Sequence, residues 1–335
     1  ARIDADGIVL VSGKGKRKTP IQRLSEWIDQ CLAKLKQYTK DIHICGNRNS
    51  FSKTDHDATF MHMKEDYMRN GQLKPGYNVN VATCSDFIIG SYISSDRNDV
   101  HTLIPFMEQL RKNYAGRNIG SVVVDSGYES EENYCWFEAH PETELYVKPS
   151  NHEAVKHRKY RTDISRRENM AYDAQADAYT CANGKLLQRT REKKTHTASG
   201  LEIATSVYEC NECDGCPLKE KCIRACGSKK PLEERYKVIY VSKRFARQRQ
   251  AMEAKISSPK GCLLRVNRSI QAEGNFAYVK QDLDFRRFLL RGNMKVAAEW
   301  LLFSLALNIL HLHHKIQNRR LGSDLKIPSS FPAGL

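Results

Sequence analysis

Several absences narrow this sequence before any motif does. No run of apolar residues reaches the ~20 that a membrane span requires. The longest, WLLFSLALNILHL at 300–312, is shorter and is interrupted by Ser304 and Asn308, so no membrane association is expected. No secretory signal opens the chain, no internal repeat recurs, and no low-complexity tract is present. Acidic residues are in deficit: 39 Asp and Glu face 54 Lys and Arg, for a net charge of +15 and a pI near 9.3. The excess recurs along the chain, as KGKRK at 14–18, KHRKYR at 156–161, RREN from 166, TREKK at 190–194, KRFARQR at 243–249 and FRRFLLR at 285–291. Basic charge spread this widely points to a polyanion, nucleic acid before an anionic membrane surface.

Eleven cysteines are an odd number for a disulfide framework. Six are scattered and five crowd between 210 and 226. In a basic chain without a secretory signal, that crowding reads as metal binding in a reducing compartment, and a cytoplasmic location is expected. The run is Cys210-x2-Cys213-x2-Cys216-x5-Cys222, with Cys226 beyond it and Cys181 upstream. Four thiolates suit a tetrahedral structural Zn²⁺. The spacing is short for one four-ligand knuckle, so Cys181 is an alternative fourth ligand. Buried free thiols or an iron–sulfur cluster are the competing readings.

The length suits two or three compact units. Residues 1–50 read as an appendage with a basic stretch and a helix over 19–42, where Ile21, Leu24, Trp27, Ile28, Cys31, Leu32 and Leu35 recur at helical spacing. Within 51–165, KPGYNVNVAT and FIIGSYIS predict strands joined at CSD, with Tyr77, Val79, Val81 and Thr83 on one face. A helix over 99–114, the strand NIGSVVVD, a helix capped by Ser130 and the strand ELYVKPS follow. A strand–helix–strand crossover implies a parallel pair, hence a mixed α/β sheet with ligands beyond its strands' carboxyl ends. Residues 166–245 lose helical periodicity and read as a small β-rich insertion stapled by metal. From 246 to 335 the chain is helical, most clearly over 265–285 and 293–316.

Two acids are singular. Asp125 closes the β-branched run VVV and is followed by Ser-Gly, a costly place for a carboxylate unless it is paired or capping a turn. Glu273 lies in SIQAEGNFAYVKQ, a largely apolar helix, with Lys280 two turns on and on the same face. Carboxylates gathered at the end of a sheet form a hard-oxygen site for Mg²⁺ or Mn²⁺, and a lysine beside it can hold a phosphate. His311, His313 and His314 read as the solvated end of the last helix, because i and i+2 do not share a face.

The blocks SFSKTDHDATFMHMKED, KPGYNVNVA, VVVDSGYESEENY, YECNECDGCPLKEKC and NRSIQAEGNFAYVKQD, in this order over about 48 to 316, resemble the DDE transposases of bacterial insertion sequences. That resemblance implies a ribonuclease H-like fold, with Asp125 and Glu273 as the second and third acids of a catalytic triad and an insertion between them. It implies Mg²⁺ or Mn²⁺ as cofactor, terminal-repeat and target double-stranded DNA as partners, and a homodimer when active. Water would cut the strand at the element's end, and the freed 3′-hydroxyl would attack target DNA. Lys280 and Arg268 are the expected DNA contacts. The family's arginine stands four residues before the acid, where this chain has Ser269. Arg268 stands five before, about 140° around an α-helix. The first acid is expected upstream of KTDHDA, with Asp6 or Asp57 as its stand-in, and the chain is expected to be the C-terminal part of such a transposase. A DNA-binding remnant and a nuclease of the same fold are the alternative functions.

Overall fold

The computed structural model describes residues 7, 9–63, 70–224, 228–322 and 325–326. It divides into two compact units. One comprises 1–78, 93–97 and 288–299, the other 79–92, 98–287 and 300–335. Asp6 and Cys226 lie outside the described residues.

The first unit opens with helix α1 (Pro20–Cys45). Thr19 caps it through its side-chain oxygen, which accepts from the Gln22 amide, and Pro20 takes the first turn, where no amide is needed. Gly46, at φ +57°, ends it. The loop that follows is held by Arg48, which donates to the carbonyls of Ile44, His56 and Asp57. Strands β1 (Thr59–Met61) and β2 (Lys74–Gly76) pair antiparallel. The single strand expected over 74–83 is therefore broken. Tyr77 separates β2 from β3 (Asn78–Cys84) because its hydroxyl is drawn to Asp55 at 2.7 Å.

In the second unit β3 pairs with β4 (Phe87–Ser94). Ser85 and Asp86 between them adopt φ of +54° and +72°, as a two-residue hairpin turn demands. The alternation of β3 does not sort as its apolar residues suggest. Asn80 is its buried residue, since its Oδ1 accepts from Thr102 and Tyr128. Helix α2 (Leu103–Asn113), strand β5 (Ser121–Val124), helix α3 (Glu131–Glu138) and strand β6 (Glu144–Val147) follow in the expected order, and β5 and β6 are parallel. Among the described residues, β3–β4 and β5–β6 remain separate two-stranded sheets rather than one mixed sheet, since the four-residue β5 pairs only with β6. Leu103, Phe106, Met107 and Leu110 of α2 form a core with Tyr134, Phe137, Leu145 and Val147.

Past the short helix α4 (Arg158–Arg161), strands β7 (Ala171–Asp173), β8 (Ala178–Thr180), β9 (Leu186–His196) and β10 (Glu202–Glu209) lead through helix α5 (Lys219–Cys222) to β11 (Val238–Val241). They form one antiparallel sheet in the order β11-β10-β9-β8-β7 with its own small core. Helix α6 (Lys243–Ser257) then returns to the first core through Met252 and Ile256. Helix α7 (Pro259–Arg268) turns back tightly against it. A Cβ on Gly261 would stand 2.3 Å from the Lys255 carbonyl, so only glycine fits.

The helix expected over 265–285 is interrupted. Residues Ser269–Glu273 and Tyr278–Asp282 wind as π-helix on either side of α8 (Gly274–Ala277). The last helix, α9 (Asn293–Gln317), spans 25 residues and by length and composition alone is long and apolar enough to cross a membrane. One face of it is packed, while Leu302, Leu305 and Ile309 on other faces are exposed. Asn308 exchanges two hydrogen bonds with the Ile88 backbone, and Trp300 stacks on Phe276. His311 is half-buried, not solvated, because its Nε2 reaches Asn275 Oδ1 at 2.8 Å. His313 and His314 are exposed.

Candidate active site

The segment DSGYESEENY is a locked turn. Asp125 leaves β5 in extended conformation, and its Oδ1 accepts from the Ser126 amide at 2.7 Å. Gly127 packs closely on Asp99: a Cβ there would stand 2.9 Å from Asp99 Oδ2, so that side chain would have to move. Burial pushes the Tyr128 phenol up, and the nearby Asp99 carboxylate adds to the shift. That phenol donates to buried Asn80. Glu129, whose side chain is 1% exposed, takes both arms of Arg249 at 2.8 Å and the Ser150 amide at 2.8 Å. Burial pushes its carboxyl up, but the hydrogen bonds and charge of Arg249 outweigh this and hold it below the ordinary range. Ser130 caps α3 by accepting from the Asn133 amide, and Glu131 binds Arg244. Each of these contacts fixes the backbone around Asp125 without consuming the outer face of its carboxylate.

That face meets Arg268. The guanidinium lies 3.5 Å from Asp125 Oδ2 and 2.8 Å from Glu273 Oε1. Ser269 Oγ donates to the other Glu273 oxygen at 3.1 Å. The π-helical winding explains how Arg268 gets there. An i→i+5 ladder brings a residue close to the one five before it, where α-helical winding would turn it away. The local helix type thus brings Arg268 to Glu273 despite the five-residue spacing. Asp125 and Glu273, 148 residues apart in sequence, share one cation from two separate elements.

Both carboxylates are accessible, Asp125 at 48% and Glu273 at 60% exposed, and both are acceptor-only oxygen donors. A single positive charge already stands between them. They therefore fit a hard divalent cation in kind. Lys280 does not join them; its ammonium lies over the Phe276 ring at 5.8 Å. Asp57, in the first unit, accepts at its Oδ2 from the Asn293 amide at 2.8 Å, at the start of α9. Asp99, which packs on Gly127, was missed by sequence reasoning. The signal available was the small residue directly after Asp125-Ser126, which calls for a neighbour pressed against it.

Of the expected zinc ligands, Cys210 and Cys213 lie in the core of the five-stranded sheet, and Cys181 packs against it. Burial raises the Cys210 thiol to about 11, with Cys213 and Cys181 adding to the shift. Burial also raises Cys222, whose neighbours include Cys181, Cys213 and Cys216. The Lys237 amide donates to Cys213 Sγ at 3.4 Å. The donor set suits Zn²⁺ in chemistry. As placed, no group of three His, Cys, Asp or Glu among the described residues converges to hold a metal ion.

Residues 180–313 match the family model of the transposase DDE domain. That match supports a DDE-type transposase. The match takes in the cysteine run, Arg268, Glu273 and Lys280, and Asp125 lies upstream of it. Searches of curated proteins and of solved structures gave no match. The transposase domain ties the chain to transposition and to DNA as substrate, and transposases of this type use divalent metal ions.

Proposed function

We propose that the chain carries out DNA strand cleavage and strand transfer by metal-assisted phosphoryl transfer on a ribonuclease H-like core. The convergence of Asp125 and Glu273 on Arg268 carries the proposal. The two carboxylates would hold Mg²⁺ or Mn²⁺, which when bound supplies activation of water and stabilisation of the leaving oxygen. The chain's own part is positioning. The locked turn after β5 sets Asp125, and Ser269 orients Glu273. Arg268, displaced from the acids, is free to take a backbone phosphate bidentately. Lys280 offers a second phosphate contact as a point charge. The net charge of +15 supports a DNA grip that weakens steeply as salt rises. Residues 166–245 act as an insertion in that core. Cys181, Cys210, Cys213, Cys216 and Cys222 supply its structural Zn²⁺, drawn together on loading. The protein would act in the bacterial cytoplasm, on the nucleoid, as a homodimer that engages both element ends.

The test is cleavage of terminal-repeat DNA with Mg²⁺ or Mn²⁺. Asp125→Asn and Glu273→Gln should each abolish it while leaving DNA binding largely intact. Near-normal cleavage by either variant overturns the assignment. A second reading, DNA binding without cleavage, draws on the lack of a third acid grouped with this pair among the described residues. Binding of duplex DNA by the unmodified chain with no cutting in either metal supports it.

A further inference from the structure

Helix α1 carries a second pattern besides its amphipathic spacing. Ile21, Leu24, Ile28, Cys31, Leu35, Tyr38, Ile42 and Cys45 follow one another at alternating steps of three and four residues. That is an unbroken a/d heptad seam over the whole helix, with isoleucine at three of the four a positions. The remaining faces carry Arg23, Glu26, Asp29, Lys36 and Lys40. Among the described residues the seam is uncovered. Leu24 is 55% exposed, Leu35 61% and Ile42 71%, and Gln22 is the one buried residue of the helix. An apolar stripe of ~39 Å, at 1.5 Å per residue, is not left in water without a partner.

We infer that α1 is a dimerisation helix, pairing with α1 of a second copy of this chain as a parallel, in-register two-stranded coiled coil. Isoleucine at a favours two strands over three or four. The flanking positions choose the direction. In the parallel arrangement Trp27 at g meets Leu32 at e of the second copy, and both are otherwise exposed, at 61% and 49%. The antiparallel arrangement that matches the same seam sets Lys34 against Lys34 of the second copy, a like-charge contact. Each exposed seam side chain offers roughly 100 Å² of apolar surface. The six exposed seam side chains, with Trp27 and Leu32 beside them, approach the ~800 Å² per partner of a standard interface. The seam lies wholly within the first unit and stands independently of the catalytic reading, though it supplies the dimer that reading calls for.

The experiment uses the full chain without DNA. Light scattering at tens of micromolar should give twice the 38.4 kDa chain mass. Ile28→Lys with Leu35→Lys should halve that mass at unchanged circular dichroism, since both side chains are exposed and contribute nothing to a monomer's core. With Cys45, the other seam cysteine, replaced by serine, copper-catalysed air oxidation should join Cys31 to Cys31, because d positions face each other only in the parallel register, and adding Cys31→Ser should abolish that cross-link. A monomeric wild type overturns the proposal, as does a dimer that survives the double lysine variant or a higher oligomer. A dimer that is lost in that variant but never cross-links through Cys31 overturns the parallel register. Cleavage of terminal-repeat DNA by the double lysine variant at full rate would leave the catalytic reading standing and remove the dimer's role in it.

Discussion

Two pairs of acids stand in two parts of this chain and meet different fates. Asp55 and Asp57, in the first unit, accept hydrogen bonds from within that unit. Asp55 accepts from the Gly292 amide at 3.2 Å and from the Tyr77 hydroxyl at 2.7 Å, and Asp57 from the Asn293 amide at 2.8 Å. They hold the first turn of α9, where backbone amides and the helix dipole both favour negative charge. Burial pushes the Tyr77 phenol up, and the bond to Asp55 pushes it further, so that bond keeps its proton on the tyrosine. Asp125 and Glu273, in the second unit, instead share one guanidinium and leave much of their surface to solvent. The contrast is between acids held by backbone amides and a tyrosine hydroxyl and acids balanced by a single side chain that can move away.

The largest effect that would sharpen this contrast is on cleavage. Asp125→Asn or Glu273→Gln should lower the rate at least roughly hundredfold, in the range of lost electrostatic stabilisation at an active site. Asp57→Asn should leave the rate per folded molecule unchanged. A comparable loss in Asp57→Asn, read by single-turnover cleavage, would break the comparison.

Stability comes next. Arg249→Met leaves buried Glu129 unpaired and should cost about 3–5 kcal/mol by urea unfolding. The carboxyl of Glu129 is depressed in the folded protein, so its contribution is fully present above the ordinary carboxylate range. It is lost as pH falls through the lower folded value. Wild type should therefore lose stability on acidification more steeply than Glu129→Gln, and parallel pH profiles would contradict this. Gly261→Val forces α7 off the Lys255 carbonyl and should cost about 1–3 kcal/mol, read by thermal unfolding. The smallest effect belongs to Asp57→Ala, a lost helix cap, at ~1 kcal/mol.

The sequence announced the strand ending at Asp125, the Ser130 cap, the helix carrying Glu273 and the long last helix. Each rests on a local signal: β-branched residues, capping chemistry, or a 3.6-residue period. Tertiary bonds hid the rest. Asn80 is buried because Thr102 and Tyr128 bind it, which no alternation pattern reveals. His311 is drawn in by Asn275. The π-helical turn at 269–273 was invisible because an apolar period does not distinguish i→i+4 from i→i+5 bonding over five residues. That one turn decides whether Arg268 reaches Glu273.

The central claim is that Asp125 and Glu273 form one cation site whose place Arg268 holds. Mn²⁺ binding, followed by loss of the free-ion paramagnetic resonance signal without DNA, tests it most directly. Wild type should bind weakly, and Arg268→Gln should bind several-fold more tightly because the competing charge is gone. Asp125→Asn and Glu273→Gln should each lose that binding, and Asp57→Asn should keep it. Unchanged affinity in Arg268→Gln, or Mn²⁺ binding that survives loss of either acid, would contradict the account.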